Sequence, residues 1–140
     1  MVTAAAAEGW SKRIGLPVKR HQIIGSCYIF GEGKDVDILV EVSDIEEWHH
    51  VLSDEGWDMA DGYENIDGWF AARKGDLNLL VCEDEEHYCN MLGAAWVCRA
   101  LYLNGQLTPQ DKDTRVLIHR ALTGEKMVLQ GMTFMNGQTS

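Results

Sequence analysis

The strongest constraint on this chain lies in residues 23–40, IIGSCYIFGEGKDVDILV. Two apolar, β-branched segments flank a tight connection bearing Gly25-Ser26, Gly31 and Gly33. Residues 18–24 form the first expected strand and residues 35–42, DVDILVEV, the second. Strand side chains alternate faces, so Asp35 and Asp37 share one side while Val36, Ile38, Val40 and Val42 take the other. Two carboxylates about 5 to 7 Å apart repel by on the order of a kcal/mol near a surface, and a divalent cation between them turns that repulsion into binding energy. Mg²⁺ or Mn²⁺ is the expected cofactor. Gly25 lets a phosphate approach the backbone and Ser26 adds a hydroxyl donor at the start of a short helical turn.

The rest of the chain supplies helices and a hairpin. Residues 4–13 suit a short helix or a frayed tail. Ser43 with Glu46 reads as a capping box for a helix in which Ile45, Trp48, Val51 and Leu52 recur at helical spacing until Gly56. Residues 57–59 start another strand, and residues 69–73 and 77–82 flank Lys74-Gly75-Asp76 as a hairpin. A longer helix follows from Glu83 or Asp84 to Leu103, ended by Asn104-Gly105. Thr108 caps a last helix with Pro109 at its first position and a stop at Gly124. The expected fold is α/β (α+β): a small mixed, twisted sheet of four or five strands flanked by helices, covered mainly on one face, with the Asp35/Asp37 pair on the open side. Residues 1–124 make one domain; residues 125–140 are a C-terminal tail containing the strand-like VLQGMTFM.

Composition narrows the partners. The 140 residues carry 12 Lys and Arg against 22 Asp and Glu, a net charge of -10 that repels phosphate backbones and excludes nonspecific nucleic-acid binding. No apolar stretch reaches membrane length and no basic region precedes an apolar leader, so a cytoplasmic protein without membrane contact is expected. The four cysteines include no C-x-x-C pair, the mark of zinc spacing, and read as reduced thiols, mostly buried. His49 and His50 point in different directions on a helix, and Glu83 with His87 reads as a surface pair. The tryptophans fall on apolar faces and read as core, with Trp69 the exception worth following as a stacking surface.

The turn Ile24-Gly25-Ser26 followed by Asp35-Val36-Asp37 resembles the nucleotidyltransferase superfamily with the polymerase-β-like fold. The longer run FAARKGDLNLLVCEDEEHY, a helix with Cys-Arg, and K-x-x-R-V-x-I-H resemble small bacteriophage proteins of that class, over the chain to about Gly124. The resemblance implies that Asp35 and Asp37 bind the catalytic metal and that a carboxylate on a later strand activates the attacking hydroxyl. Asn78 stands at that third position as a metal ligand in place of a base; Asp76, two residues earlier, supplies the carboxylate if the register shifts. An amide cannot accept a proton at neutral pH, which slows base-assisted attack by roughly 10²- to 10⁴-fold.

The reaction the resemblance implies moves an NMP from a nucleoside triphosphate to an unidentified hydroxyl. The nucleotide-binding set is Gly25, Ser26, Lys34, Arg73 and Lys74, with Lys112 and Arg115 as further phosphate contacts. An alternative is a catalytically inactive member of the fold, phage-derived, that binds and inhibits a host protein in the host cytoplasm through its acidic surface. A third reading is a toxin-type transferase that modifies a host protein or RNA.

Overall fold

Strand β2 (Val36–Glu41) is the centre of the molecule, buried along nearly its whole length, with Val36, Ile38 and Val40 on one face and Leu39 on the other. It pairs antiparallel with β1 (Arg20–Ile24) and parallel with β5 (Leu77–Cys82). Strand β5 closes a hairpin with β4 (Trp69–Lys74), which pairs with the two-residue β3 (Asp58–Met59). The result is a five-stranded mixed sheet in the order β1-β2-β5-β4-β3. The computed structural model describes residues 1–59 and 68–123. The strand-like segment at residues 128–135 and the stop expected at Gly124 lie outside the described residues.

Among the described residues five α-helices accompany the sheet: α1 (Trp10–Ile14), α2 (Gly25–Phe30), α3 (Ile45–Asp54), α4 (Glu85–Leu103) and α5 (Lys112–Thr123). On one face Val36, Ile38, Val40, Leu77, Leu79, Val81, Phe70 and Ala72 pack against Trp10, Ile14, Trp48 and Leu52 of α1 and α3. On the other face Ile24, Leu39 and Cys82 pack against Tyr88, Met91 and Ala95 of α4. Helices therefore cover both faces, not mainly one. The reason is α4, whose apolar residues run around most of its circumference and bury Tyr88, Met91, Ala94, Ala95 and Cys98.

Two helix starts differ from expectation, each for a local reason. Helix α3 is capped by Asp44, whose Oδ1 accepts from the Glu47 N–H at 3.0 Å, one residue beyond the expected Ser43–Glu46 box. The long-range partner that sequence could not show is Glu83, whose carboxylate accepts from the Ile45 N–H at 3.2 Å. Helix α5 begins at Lys112, because Thr108 donates its N–H and hydroxyl to the Asp111 carboxylate at 2.7 and 3.1 Å and holds Pro109 in a turn before the helix. Glu41 is 3% exposed and accepts from Arg20 at 2.6 Å, so its charge is paired. Among the described residues no helix is long and apolar enough to cross a membrane.

Candidate functional site

The sheet register brings three of the expected residues together. Asp37 on β2 lies directly beside Asn78 on β5, and Asn78 beside Arg73 on β4, so the three side chains stand in one row on the α4 face. The Asn78 amide nitrogen donates to Asp37 Oδ1 at 2.9 Å. Arg73 reaches Asp35 Oδ2 at 3.3 Å. With Arg73 55% and Asp35 24% exposed, that ion pair contributes only about 0–1 kcal/mol, and the guanidinium is readily released to a better anion.

Gly25 and Ser26 form the opposite wall. Gly25 has φ +69, and a Cβ there would fall 2.0 Å from Asp37 Oδ2, so glycine is required both by the backbone and by the carboxylate beside it. A Cβ on Gly33 would meet the Ser26 Cβ at 2.7 Å; its absence lets the loop close over Ser26. Arg115, reaching in from α5, donates to Ser26 Oγ at 3.2 Å and lies over the Phe30 ring. Helix α2 is held from behind by Arg99, which donates to the carbonyls of Tyr28 and Ile29 at 2.8 and 3.0 Å. Cys27 donates to the backbone oxygens of Val2 and Asp35 and braces the turn from beneath.

The electrostatics follow from this packing. Burial pushes the Asp37 carboxyl up to about 6, the Asn78 donor opposes that shift, the Asp35 charge adds to it, and Arg73 and Arg115 hold it down. Burial also pushes the Cys27 thiol up, helped by the negative charges of Asp37 and Asp35. His119 on α5 is held below its ordinary value by burial and by Arg115.

Other expected site residues lie elsewhere. Lys74 follows Arg73 on β4 and so points to the opposite face, where its Nζ donates to the Glu55 carbonyl at 3.1 Å and approaches the Trp57 ring. Asp76 sits in the β4–β5 turn, exposed, and borders a cavity of about 390 Å³ on that far face together with Trp10 and Trp57. Its backbone carbonyl accepts from the Val36 N–H at 2.7 Å, which sets it next to Asp35 where β5 begins. Lys34 and Lys112 are exposed and make no ion pair among the described residues. Sequence reasoning missed Arg99, whose one signal was a lone cation in an apolar helix stretch, and the contact of Glu83 with α3, which left no signal.

The five-stranded mixed sheet, with the Gly25-Ser26 turn set against its carboxylate-bearing central strand, has a counterpart among solved structures. The chain is similar in structure to the conserved protein GrpB from Enterococcus faecalis, with a TM-score of 0.57 and 13% sequence identity, covering 86% of this chain and 90% of that one. At that identity the likeness is one of fold. No family model matches the sequence, and no curated protein matches it.

Proposed function

We propose that the chain binds a nucleoside triphosphate with Mg²⁺ or Mn²⁺ and transfers its NMP to a hydroxyl acceptor. The observation that carries this reading is the placement of Asp35 and Asp37 beside Ser26 and Arg115, a carboxylate pair next to a cationic, hydroxyl-bearing turn. Among the described residues no three His, Cys, Asp or Glu side chains gather as a metal site, so the donors are the two carboxylates, with Asn78, expected as a ligand, turning its amide nitrogen toward Asp37. Such an all-oxygen set suits a hard divalent ion. The raised pKa of Asp37 marks a buried negative charge that its neighbours neutralise incompletely. When bound, the ion would offset charge on the triphosphate and make its α-phosphorus a better electrophile.

The chain's own residues do the rest. Arg115 and Ser26 hold phosphate oxygens at the turn, and Arg73 exchanges the Asp35 carboxylate for the triphosphate, a stronger, bidentate partner. Asn78 orients Asp37 through its amide but takes no proton, so the acceptor hydroxyl is deprotonated without a base from β5. Slow turnover is the consequence.

A second reading rests on the same amide. With the Asn78 amide on Asp37 and no three His, Cys, Asp or Glu side chains gathered there among the described residues, the arrangement suits a member of the fold that binds without transferring. Its partner would be a basic host protein docking on the acidic surface of a chain carrying net charge -10. Incubation with α-³²P-labelled nucleoside triphosphates, Mn²⁺ and a host-cell lysate separates the two. Label transfer that Asp35→Asn and Asp37→Asn abolish supports the transferase; absence of nucleotide binding and of transfer overturns it and favours the second reading.

A further inference from the structure

We infer that Arg73 holds the carboxylate pair closed to a free divalent ion and releases it only to a polyphosphate, so that the chain takes the ion together with a triphosphate and not alone. This deepens, and rests on, the triphosphate and cation site proposed above. Both carboxylates already carry a donor. Arg73 Nη2 lies 3.3 Å from Asp35 Oδ2, and Asn78 Nδ2 donates to Asp37 Oδ1 at 2.9 Å. The two donors are themselves neighbours, Arg73 on β4 standing directly opposite Asn78 on β5 in the antiparallel ladder. One rung of the hairpin therefore serves both acids. A hard cation that binds through carboxylate oxygens competes with whatever those oxygens already hold.

The two donors differ in what they do to an approaching cation. Asn78 is short and uncharged, so it adds no repulsion. Arg73 is long, carries a permanent charge and is 55% exposed. Its charge offsets that of Asp35, while Arg115, which reaches Ser26 from α5, acts on the buried charge of Asp37. With both guanidiniums in place the acids present little net negative charge to a free ion. A polyphosphate reverses that balance. Its oxygens accept two parallel N–H groups from one guanidinium, a stronger arrangement than the contact with Asp35. Arg73 has no other ion-pair partner among the described residues, so nothing else restrains it. Asp35, once freed, is available to a cation that the polyphosphate itself carries. By linkage, the factor by which a polyphosphate raises cation affinity through Arg73 equals the factor by which the cation raises polyphosphate affinity.

Calorimetry on wild type and Arg73→Gln, with Mn²⁺ alone, with tripolyphosphate alone and with the two together, tests this. Arg73→Gln should bind Mn²⁺ alone at least about fivefold tighter than wild type, and metal-free tripolyphosphate about tenfold more weakly. A merely structural role for Arg73 would weaken both. Tripolyphosphate should also raise Mn²⁺ affinity less in the variant than in wild type. Lys19→Gln removes the same unit charge from an exposed position just before β1 and should leave the affinity for Mn²⁺ alone at its wild-type value. Mn²⁺ alone bound no tighter by Arg73→Gln, or tightened equally by Lys19→Gln, overturns the role of Arg73. If Asp35→Asn with Asp37→Asn still abolishes Mn²⁺ binding in that case, the cation site itself stands. No Mn²⁺ binding by wild type or Arg73→Gln, with or without tripolyphosphate, overturns the cation site, and the role of Arg73 with it.

Discussion

Asn78 donates to the carboxylate of Asp37 from the parallel neighbour strand, at the same register, 2.9 Å away. An amide thus occupies the place where the resemblance to nucleotidyltransferases calls for an acid. A hydrogen bond to a charged group contributes about 1.5–3 kcal/mol, so this contact holds Asp37 firmly when ionised. Asn78→Asp removes the donor and adds a third negative charge. The expected outcome is a lower Tm at pH 7.5 without metal, recovery of that loss on adding Mg²⁺, and faster metal-dependent transfer, all read from melting curves and labelling rates.

Asp37 ties stability to pH. Its carboxyl is pushed up to about 6 by burial and by Asp35, against the opposing effects of Asn78, Arg73 and Arg115. The folded state therefore binds its proton more tightly than the unfolded chain does. This group's contribution favours folding most below pH 4 and is lost as pH rises through about 6, a swing on the order of 2–3 kcal/mol. Urea unfolding of wild type and Asp37→Asn between pH 4 and 8 checks the sign: the difference in stability should move in favour of the variant as pH rises.

Gly25→Ala should be the most damaging small substitution at the site. The left-handed backbone at φ +69 costs a non-glycine residue about 1–2 kcal/mol, and the added methyl would lie 2.0 Å from Asp37 Oδ2. Gly31→Ala, also left-handed at φ +90 but facing open space, serves as the control. Both variants should lose stability in denaturant titrations, while only Gly25→Ala should also lose nucleotide binding.

Arg115 should act on binding more than on folding. Its guanidinium bridges α5 to Ser26. Arg115→Met, which keeps apolar bulk over Phe30, should weaken tripolyphosphate binding by about tenfold or more, the loss of a charge-assisted contact, with little change in Tm. Equal affinity in the variant and wild type would remove Arg115 from the phosphate site.

The carboxylate pair and the Gly-Ser turn were legible in sequence because each depends on local rules, strand alternation and the permissiveness of glycine. The pairing of Asn78 with Asp37 was within reach once β5 was placed next to β2. Lys74 was misplaced although alternation alone sends it to the face opposite Arg73. Arg115, Arg99 and Glu83 act over separations of 89, 71 and 38 residues, and such contacts are set by how helices dock, which no local pattern encodes. The covering of both sheet faces was hidden for the same reason: α4 is apolar on so many sides that its sequence does not say which side meets the sheet.

The most direct test is a Mn²⁺ titration followed by electron paramagnetic resonance, with tripolyphosphate present, on wild type and on the Asp35→Asn, Asp37→Asn double variant. One protein-bound ion per wild-type chain, lost in the variant while its fold is retained, is the expected result. Identical Mn²⁺ binding by the two proteins, or none by the wild type, would contradict a cation site on these carboxylates.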